Sequence, residues 1–254
     1  MYRLHRIDHS GTPLYAVERE GKWRLVDGDV FGTFRDGPEI AHEGLRVLAP
    51  VSPSKIVCVG LNYKDHAAEQ NKPLPAEPLL FIKPSTAVIG PGAPIEVPLW
   101  AGRIDHEAEL GIVIKKRAFK VKMAHAHEYI LGLIAVNDVT ARELQAKESQ
   151  YTRCKGFDTF APIGPCIAAG LEGKDLQVRA YVNGDLRQDS RTRELIFTIP
   201  ELIEFITSIM TLLPGDIIAT GTPSGIGPIR PGDSVTIHVE GVGALTNPVV
   251  ARDH

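Results

Sequence analysis

Cysteine is scarce in this sequence of 254 residues, and no long apolar run is present. The three cysteines, Cys58, Cys154 and Cys166, form no C-x-x-C pair, and their odd number indicates free thiols rather than a disulfide framework. The first residues, MYRLHRIDHSG, contain no apolar leader, and no run approaches the roughly 20 residues of a membrane helix. We therefore expect a cytoplasmic protein that does not span a membrane.

An excess of charge of one sign is also lacking. The formal net charge is −3, and the sequence contains no basic block. Nucleic acids and anionic membranes are therefore not expected as partners. With 43% hydrophobic and 23% charged residues, the composition is that of an ordinary globular protein, and the length allows one large domain or one domain with a small appendage.

The chain consists largely of short strand-like segments between glycine and proline turns. Residues 1–50 alternate in segments such as LYAVERE and GKWRLV, which predicts a small N-terminal β-rich domain. The two prolines of LAPVSPSK, residues 48–55, mark a boundary, and residues 55–254 form the predicted main domain. We expect a mostly β (α+β) fold with a few peripheral helices.

Several local patterns predict particular elements. In YVNGDLRQ, residues 181–188, the Asn-Gly pair predicts a β-hairpin with a type I′ turn. The segment IPELIEFITSIMTLL, residues 199–213, is the clearest helix, with proline in its first turn. Residues 123–149 predict a helix, a strand and a second helix, and Thr140 with Glu143 fits the capping box of that second helix.

Two glutamates stand one residue apart in RIDHEAELGIVI, residues 103–114, where the chain enters an apolar strand. Because alternate side chains of a strand share a face, Glu107 and Glu109 are predicted side by side, while His106 points to the opposite face. Two like charges on one face repel, and burial also removes their hydration, so either water or a cation must compensate them. Spacing alone favours water.

Asp138 follows the apolar run GLIAV, residues 132–136, close to the point where that predicted strand ends. Glu107, Glu109 and Asp138 together would give three hard oxygen ligands, which suit Mg²⁺ or Mn²⁺ better than Zn²⁺. The competing interpretation is that the glutamates are solvated and that Asp138 caps the following helix.

A histidine and a carboxylate are spaced for contact in YKDHAAE, residues 63–69. On a helix, His66 and Glu69 would lie on one face. A carboxylate beside an imidazole raises its basicity and fixes its tautomer, which makes a usable general base. Taken alone, the pair is better explained by a surface His–Glu contact without function.

Four further polar residues are individually ambiguous. Lys155 is either a partly buried cation that stabilises an oxyanion or an exposed lysine. Arg142 and Gln145 share a predicted helix face, where the arginine fork could bind a substrate carboxylate. Thr222 lies in GTPSGIGP, residues 221–228, which lacks the G-K-[ST] of a phosphate-binding loop and by itself predicts a turn.

Six motifs follow one another along residues 55–250: VGLNYKDHAAE, KPSTAVIGPG, IDHEAEL, VNDVTARELQ, KGFDTFAPIGP and ATGTPSGIG. In this order they resemble the fumarylacetoacetate hydrolase superfamily. The resemblance implies a mixed β-roll or sandwich, usually dimeric, with a Mg²⁺ or Mn²⁺ site. A short N-terminal β-region also occurs in bacterial members of the superfamily.

The resemblance also implies roles for the acidic residues and the histidine. Glu107, Glu109 and Asp138 match the metal ligands of the superfamily, so a cation rather than water would compensate the two glutamates. His66 and Glu69 match a catalytic dyad on a lid that orders over the substrate.

Roles for the remaining candidates follow from the same motifs. Lys155 matches a lysine that supports the substrate or its oxyanion, and Arg142, Gln145 and Thr222 match positions that contact the substrate. The chain departs from the pattern at Leu61, because acylpyruvate hydrolases of the superfamily carry arginine at this place in G-R-N-Y.

The implied function is that of a metal-dependent enzyme acting on a small 2-oxo or 2-hydroxyenoic acid through an enolate. The notable presence of both His66 and Glu69 favours C–C hydrolysis of an acylpyruvate-like diketo acid, whereas Leu61 disfavours it. The alternatives are the isomerase or decarboxylase step on 2-hydroxyhepta-2,4-diene-1,7-dioate in aromatic catabolism, oxaloacetate decarboxylation, and a non-catalytic metal- or ligand-binding relative. A homodimer is expected from the resemblance alone.

Overall fold

Strands dominate the computed structural model, which describes residues 1–252. The strands are β1 Tyr2–His9, β2 Thr12–Arg19, β3 Lys22–Gly28, β4 Phe34–Ile40, β5 Arg46–Val47, β6 Lys55–Gly60, β7 Leu79–Pro84, β8 Val88–Ile89, β9 Ile95–Pro98, β10 Ile104–His106, β11 Ala108–Ile114, β12 Ile130–Asn137, β13 Thr140–Ala141, β14 Ala161–Ala169, β15 Gln177–Val182, β16 Asp185–Arg191, β17 Ile217–Ala219, β18 Gly227–Ile229, β19 Ser234–Val239 and β20 Gly243–Arg252. The α-helices are α1 Lys64–Glu69, α2 Arg142–Lys147, α3 Thr152–Lys155 and α4 Ile199–Ile209, and 3₁₀-helices cover Ser85–Ala87, Leu99–Ala101, Met123–Tyr129 and Thr192–Glu194. The expectation of a mostly β fold with a few helices is confirmed.

Three sheets organise these strands. The largest contains the path β4-β3-β2-β1-β14-β12-β11-β17-β6-β7, with β5 paired to β1 and β8 to β14. A second sheet has the order β16-β15-β19-β20-β9, and a third has the order β13-β10-β18. Strands β11, β12 and β14 of the largest sheet pack against strands of the second sheet, so the main body is a sandwich.

The core lies on both faces of strand β11. All seven of its residues are buried. Leu110, Ile112 and Ile114 belong to the core between the two packed sheets, whereas Val113 belongs to a separate apolar cluster on the opposite face. This alternation places Glu109 on the same side as Val113, as strand geometry predicts.

The N-terminal strands extend the largest sheet. Strands β1 to β4 form an antiparallel meander, and β1 pairs with β14, with Tyr2 opposite Ala169. The division into domains 1–50 and 55–254 stays a prediction, and the last two residues of the second domain, 253–254, lie outside the described residues.

The hairpin prediction is confirmed. Strands β15 and β16 pair across Asn183 and Gly184, whose φ angles are 54° and 87°. Both turn residues are therefore in the left-handed region, as a type I′ turn requires.

The helix predictions hold in part. Helix α4 ends at Ile209 rather than Leu213, because the backbone of Leu212 pairs with Ala118 instead of continuing the helix. Residues 123–129 form a 3₁₀-helix, which is tighter than the predicted α-helix. No helix within residues 1–252 has the length and apolar character to cross a membrane.

The capping box predicted at Thr140 is wrong. Thr140 belongs to β13, and its hydroxyl donates to the carbonyl of Asp138 at 2.8 Å. The Glu143 carboxylate accepts a hydrogen bond from the backbone nitrogen of Arg103 instead. Pairing of β13 with β10 therefore takes precedence over the local capping pattern.

Candidate active site

Three carboxylates converge where strand β11 begins and strand β12 ends. Glu107 and Glu109 flank Ala108, which pairs with Asn137, and the backbone nitrogen of Asp138 donates to the carbonyl of Glu107 at 2.9 Å. One oxygen from each of the three side chains lies within 4.8 Å of the others, and the three residues are at most 5% exposed. Glu107 lies in the break between β10 and β11 rather than within the strand predicted for it, and the register of β11 with β12 brings it together with Glu109 and Asp138 as a compact acidic triad.

Three cations contact this triad. The ammonium of Lys155 lies 2.9 Å from Glu107 Oε2 and 2.5 Å from Asp138 Oδ2. Lys83 donates to Asp138 Oδ1 at 2.6 Å and to the carbonyl of Val139 at 3.0 Å. Arg142 donates to Glu107 Oε1 at 2.5 Å. These three positive charges pair with Glu107 and Asp138, which makes burial of those two carboxylates tolerable, and none of the three forms a salt bridge with Glu109.

The two glutamates differ in electrostatic environment. Burial opposes ionisation of Glu107, but Lys155 and Arg142 outweigh burial and hold the pKa of that carboxyl below its usual range. Burial raises the pKa of Glu109 well above its usual range, and the nearby charges of Asp138 and Glu107 raise it further. Glu109 accepts a hydrogen bond from the backbone nitrogen of Gly221 at 2.9 Å. Among the three acids, Glu109 therefore gains most from an additional cation.

The donor set fits a hard divalent cation. Carboxylate oxygens are the preferred protein ligands of Mg²⁺ and Mn²⁺, and both ions also accept water or substrate oxygens. Burial, and after it the charges of Asp138 and Glu107, disfavours the ionised form of Glu109, and a divalent cation at this point would favour it. Residues Glu107, Glu109 and Asp138 would hold the ion.

A histidine–carboxylate pair faces the same cleft from helix α1. His66 Nδ1 lies 2.9 Å from Glu69 Oε2, and His66 Nε2 lies 2.7 Å from the amide nitrogen of Gln70. Because an amide nitrogen only donates, Nε2 is the acceptor, and the proton of a neutral ring resides on Nδ1. The other oxygen of Glu69 accepts from the backbone nitrogen of Gly225 at 3.0 Å. The ring is thereby held as a base with its lone pair on Nε2.

The predicted site residues meet in one cleft of about 580 Å³. Eight of the nine line it: His66, Glu107, Glu109, Asp138, Arg142, Gln145, Lys155 and Thr222. Glu69 is absent from the lining and contacts His66 instead. The Thr222 hydroxyl donates to the carbonyl of Ala108 at 2.9 Å and accepts from Gln188 at 2.8 Å, so it already has partners within the protein.

Two buried charged residues of the site escaped the sequence analysis. Lys83 is fully buried, and its signal was a single lysine within the apolar strand segment LLFIKP. Asp105, also fully buried, accepts from Arg103 Nε at 2.6 Å and from Arg142 Nε at 2.9 Å. It lies in the motif IDHEAEL, but spacing alone gave no reason to connect it with Arg142.

Other chemically active side chains lie outside the triad. The Nδ1 atom of His106 lies 3.1 Å from Gln188 Oε1. His106 does not join Glu107, Glu109 and Asp138 as a possible metal ligand, in agreement with the prediction that its side chain points away from them. The cysteines Cys58, Cys154 and Cys166 are buried, and burial raises the pKa of each thiol. They are therefore poor nucleophiles.

The family model of the fumarylacetoacetate (FAA) hydrolase C-terminal region matches residues 55–250. The chain belongs to the fumarylacetoacetate hydrolase family. A crystal structure of 2-hydroxyhepta-2,4-diene-1,7-dioate isomerase from Mycobacterium marinum is 42% identical, with a TM-score of 0.93 and complete coverage of both chains. The fold expected from the sequence is therefore confirmed, and the protein is an enzyme of this family with a buried acidic triad.

Other relatives carry different activities in their names. Oxaloacetate tautomerase fahd2, mitochondrial, of Xenopus laevis is 38% identical over 224 residues, which cover 83% of this chain and 70% of that protein. Maleylpyruvate hydrolase from Sphingobium sp. SYK-6, solved with manganese(II) and pyruvate, is 28% identical, with a TM-score of 0.82 and coverage of 99% of this chain and 100% of that one. The family therefore spans isomerases, tautomerases and hydrolases.

Proposed function

We propose that the protein is a divalent-metal-dependent enzyme that moves a proton on a small 2-oxo or 2-hydroxyenoic acid by way of an enolate. The observation that carries this proposal is the single cleft in which the buried triad and the base His66 face the same space. Isomerisation and tautomerisation of such acids both require one electron sink and one proton-transfer group. Two of the three relatives described above are named for these reactions, which supports proton transfer over hydrolysis.

The residues have distinct proposed roles. A divalent ion on Glu107, Glu109 and Asp138 would act as a Lewis acid toward the 2-oxo and carboxylate oxygens of the substrate. His66 Nε2 would take the proton from the carbon beside the 2-oxo group and return it to the same carbon or, in a dienol, to a carbon further along. Gln70 would have to release Nε2 for this transfer, since it occupies that atom in the structure.

The cations and amide around the triad would position the substrate. Lys155 and Arg142 contact Glu107 and line the cleft, so their remaining donors can turn toward substrate oxygens. Gln145 accepts from Arg142 at 2.5 Å and thereby orients the guanidinium. Thr222 would contribute through the shape of the cleft, since its hydroxyl is engaged by protein groups.

Hydrolysis of a C–C bond is the second candidate, and the His66–Glu69 contact favours it. His66 would deprotonate a water that adds to the distal carbonyl of an acylpyruvate-like diketo acid. Cleavage of the C–C bond then gives a carboxylic acid and an enolate, and the enolate takes up the proton. Leu61, in place of the arginine of acylpyruvate hydrolases, lines the cleft and speaks against this substrate branch.

Turnover of a substrate panel tests these proposals. Enol-oxaloacetate, 2-hydroxyhepta-2,4-diene-1,7-dioate and acetylpyruvate would be supplied with Mg²⁺, with Mn²⁺ and with a chelator. We expect metal-dependent loss of the enol or dienol absorbance without release of CO₂ from the first two substrates. Release of acetate from acetylpyruvate would favour hydrolysis, and CO₂ from oxaloacetate would favour decarboxylation. Metal binding without turnover of any substrate would contradict the enzyme proposals and favour a ligand-binding role.

Two further predictions concern the oligomeric state of the protein and its location in the cell. The homodimer is tested by light scattering combined with size-exclusion chromatography. The cytoplasmic location is tested by fractionation of cells that express the protein.

A further inference from the structure

One lysine of the cleft differs from the other cations there. Arg142 and Lys155 line the cleft, and both form salt bridges with carboxylates of the buried cluster. Lys72 also lines the cleft, but it is exposed and forms no salt bridge with any residue within 1–252. The only carboxylates in the cleft lining are those of the triad. Lys72 is therefore the cleft cation whose charge remains available to a ligand.

The backbone holds Lys72 in a defined place. It follows helix α1, where Asn71 adopts a left-handed φ of 51°. The nitrogen of Lys72 donates to the carbonyl of Ala67 at 3.0 Å, and that of Asn71 donates to the carbonyl of Ala68 at 3.1 Å. These two bonds form a Schellman motif, which ends the helix in a fixed geometry. The same short helix carries His66, so base and cation are positioned together.

The walls of the cleft near its open end are mostly apolar. Leu61, Pro75, Leu79 and Ile226 line it, and each is at least partly exposed. The triad at the other end is buried. A ligand that spans the cleft would therefore meet oxygen-binding groups at the buried triad, apolar walls and, at the exposed Lys72, a cation without a salt bridge within residues 1–252. This sequence of groups matches a 2-oxo acid with a carbon chain and a second carboxylate.

We propose that Lys72 binds the distal carboxylate of the substrate and makes the enzyme selective for 2-oxo dicarboxylic acids over monocarboxylic acids of the same length. The proposal rests on the proposed function only in placing the 2-oxo acid end at the triad. It assigns the recognition of a terminal carboxylate to Lys72, because Leu61 has no charged group with which to bind one.

Binding of two matched ligands tests the assignment without turnover. 2-Oxoadipate and 2-oxohexanoate have six carbons each and differ by a terminal carboxylate in place of a methyl group. Their affinities for the Mn²⁺-loaded protein would be measured by calorimetry in wild type, in Lys72→Met and in Lys64→Met. Lys64 is an exposed lysine in the first turn of helix α1 that does not line the cleft, so it controls for net charge.

We expect the wild type to prefer 2-oxoadipate. Lys72→Met should weaken 2-oxoadipate about fivefold to tenfold, as for a charged hydrogen bond near the surface, and leave 2-oxohexanoate unchanged. The preference of the wild type should shrink as salt concentration rises, whereas Lys72→Met should show little salt dependence. Lys64→Met should behave like the wild type.

Two results would overturn the assignment. One is a wild type that binds both ligands equally, and the other is a Lys72→Met variant that weakens both ligands by the same factor. Failure of the proposed function would look different, because neither ligand would then depend on Mn²⁺ for binding in any of the three proteins.

Discussion

The two ends of the cleft are built in different ways. At the inner end, the triad lies at the junction of β11 and β12 and is enclosed by Lys83, Lys155 and Arg142. At the outer end, His66 and Lys72 belong to a six-residue helix and the turn that ends it. The inner end is fixed by sheet pairing, whereas the outer end is held by the burial of His66 and Ala67 and by a few side-chain contacts.

Those contacts show what holds the outer end. Ser190 Oγ donates to Asp65 Oδ2 at 2.5 Å, and Gly225 donates its backbone N–H to Glu69. A six-residue helix has little stability of its own, so such contacts determine its position. In the proposed mechanism, the residues at the sheet junction would hold the metal, and the helix with its terminal turn would supply the proton transfer and the selectivity. Variants at each end should therefore alter different measurements.

The largest expected effect is loss of the metal site. Glu109→Gln should lower Mn²⁺ affinity by about 1,000-fold and abolish metal-dependent turnover, because a neutral amide replaces a ligand carboxylate. Addition of Mn²⁺ should raise the unfolding temperature of the wild type and leave that of Glu109→Gln unchanged. A variant that keeps its metal-dependent rate would contradict the assignment of Glu109 as a ligand.

The next effect separates charge balance from ligation. Lys83→Met should lower the free energy of unfolding of the metal-free protein by about 2 kcal/mol, because Asp138 Oδ1 loses its buried ammonium partner and Lys155 is left as the one buried lysine that contacts this carboxylate. Urea unfolding with and without Mn²⁺ measures the effect, and added metal should recover part of the loss. Lys122→Met is the control, since its contact with Glu204 lies at the surface. Equal stability of the two variants would mean that Lys83 does not balance the triad.

Substitutions on helix α1 should lower kcat without changing the affinity for Mn²⁺. His66→Asn should lower kcat at least about 100-fold, because it removes the proposed base. Glu69→Gln should lower kcat by less, about tenfold, because it only weakens the orientation of the ring. Mn²⁺ affinity should stay within about twofold of the wild type for both variants. Loss of Mn²⁺ binding in His66→Asn would contradict the proposal that helix α1 does not contribute to the metal site.

Hydrolysis and proton transfer also separate at this residue. If His66 activates water, His66→Ala should lose hydrolysis of acetylpyruvate while decarboxylation of oxaloacetate persists. If His66 instead transfers a proton to and from the carbon beside the 2-oxo group, His66→Ala should lose the tautomerisation of oxaloacetate.

The smallest effect is a pH dependence of the metal-free protein. The pKa of Glu109 is raised above its value in an unfolded chain, so the folded state binds more protons between the two values. The free energy of unfolding should therefore fall as pH rises from the unfolded pKa toward the folded one. Glu109→Gln should remove this decline, so its stability relative to the wild type should increase as pH rises above the ordinary pKa of glutamate. Parallel pH profiles of the two proteins would contradict a raised pKa of Glu109 in the folded state.

Local periodicity predicted much of the site. A two-residue period placed Glu107 and Glu109 together and turned His106 away, and a spacing of three on a helix brought His66 to Glu69. Both arrangements appear in the structure because each involves residues close together in sequence: Glu107 directly precedes β11, which contains Glu109, and α1 contains both His66 and Glu69. The order of the motifs along the chain then identified the family.

Contacts between distant elements were not predictable in this way. Lys83 reaches Asp138 across 55 positions of sequence, and Asp105 reaches Arg142 across 37. The capping box at Thr140 failed for the same reason, since its backbone was already paired with β10. Spacing within one segment contains no information about which strand will lie beside it.

The sequence by itself determined the strands, the faces they present and the residue types of the site, because backbone geometry fixes which side chains of a segment share a side. Only the tertiary structure decided how the charges are shared. Burial raised the pKa of Glu109. The packing of separate segments placed Lys83, Lys155 and Arg142 in salt bridges with the other two acids, Glu107 and Asp138. The tertiary structure also leaves Lys72 without a salt bridge within residues 1–252. The Schellman turn places this lysine at the cleft, whereas the carboxylates that line the cleft are those of the triad. Electrostatic energies depend on distance and burial, and both are set only when separate segments pack together.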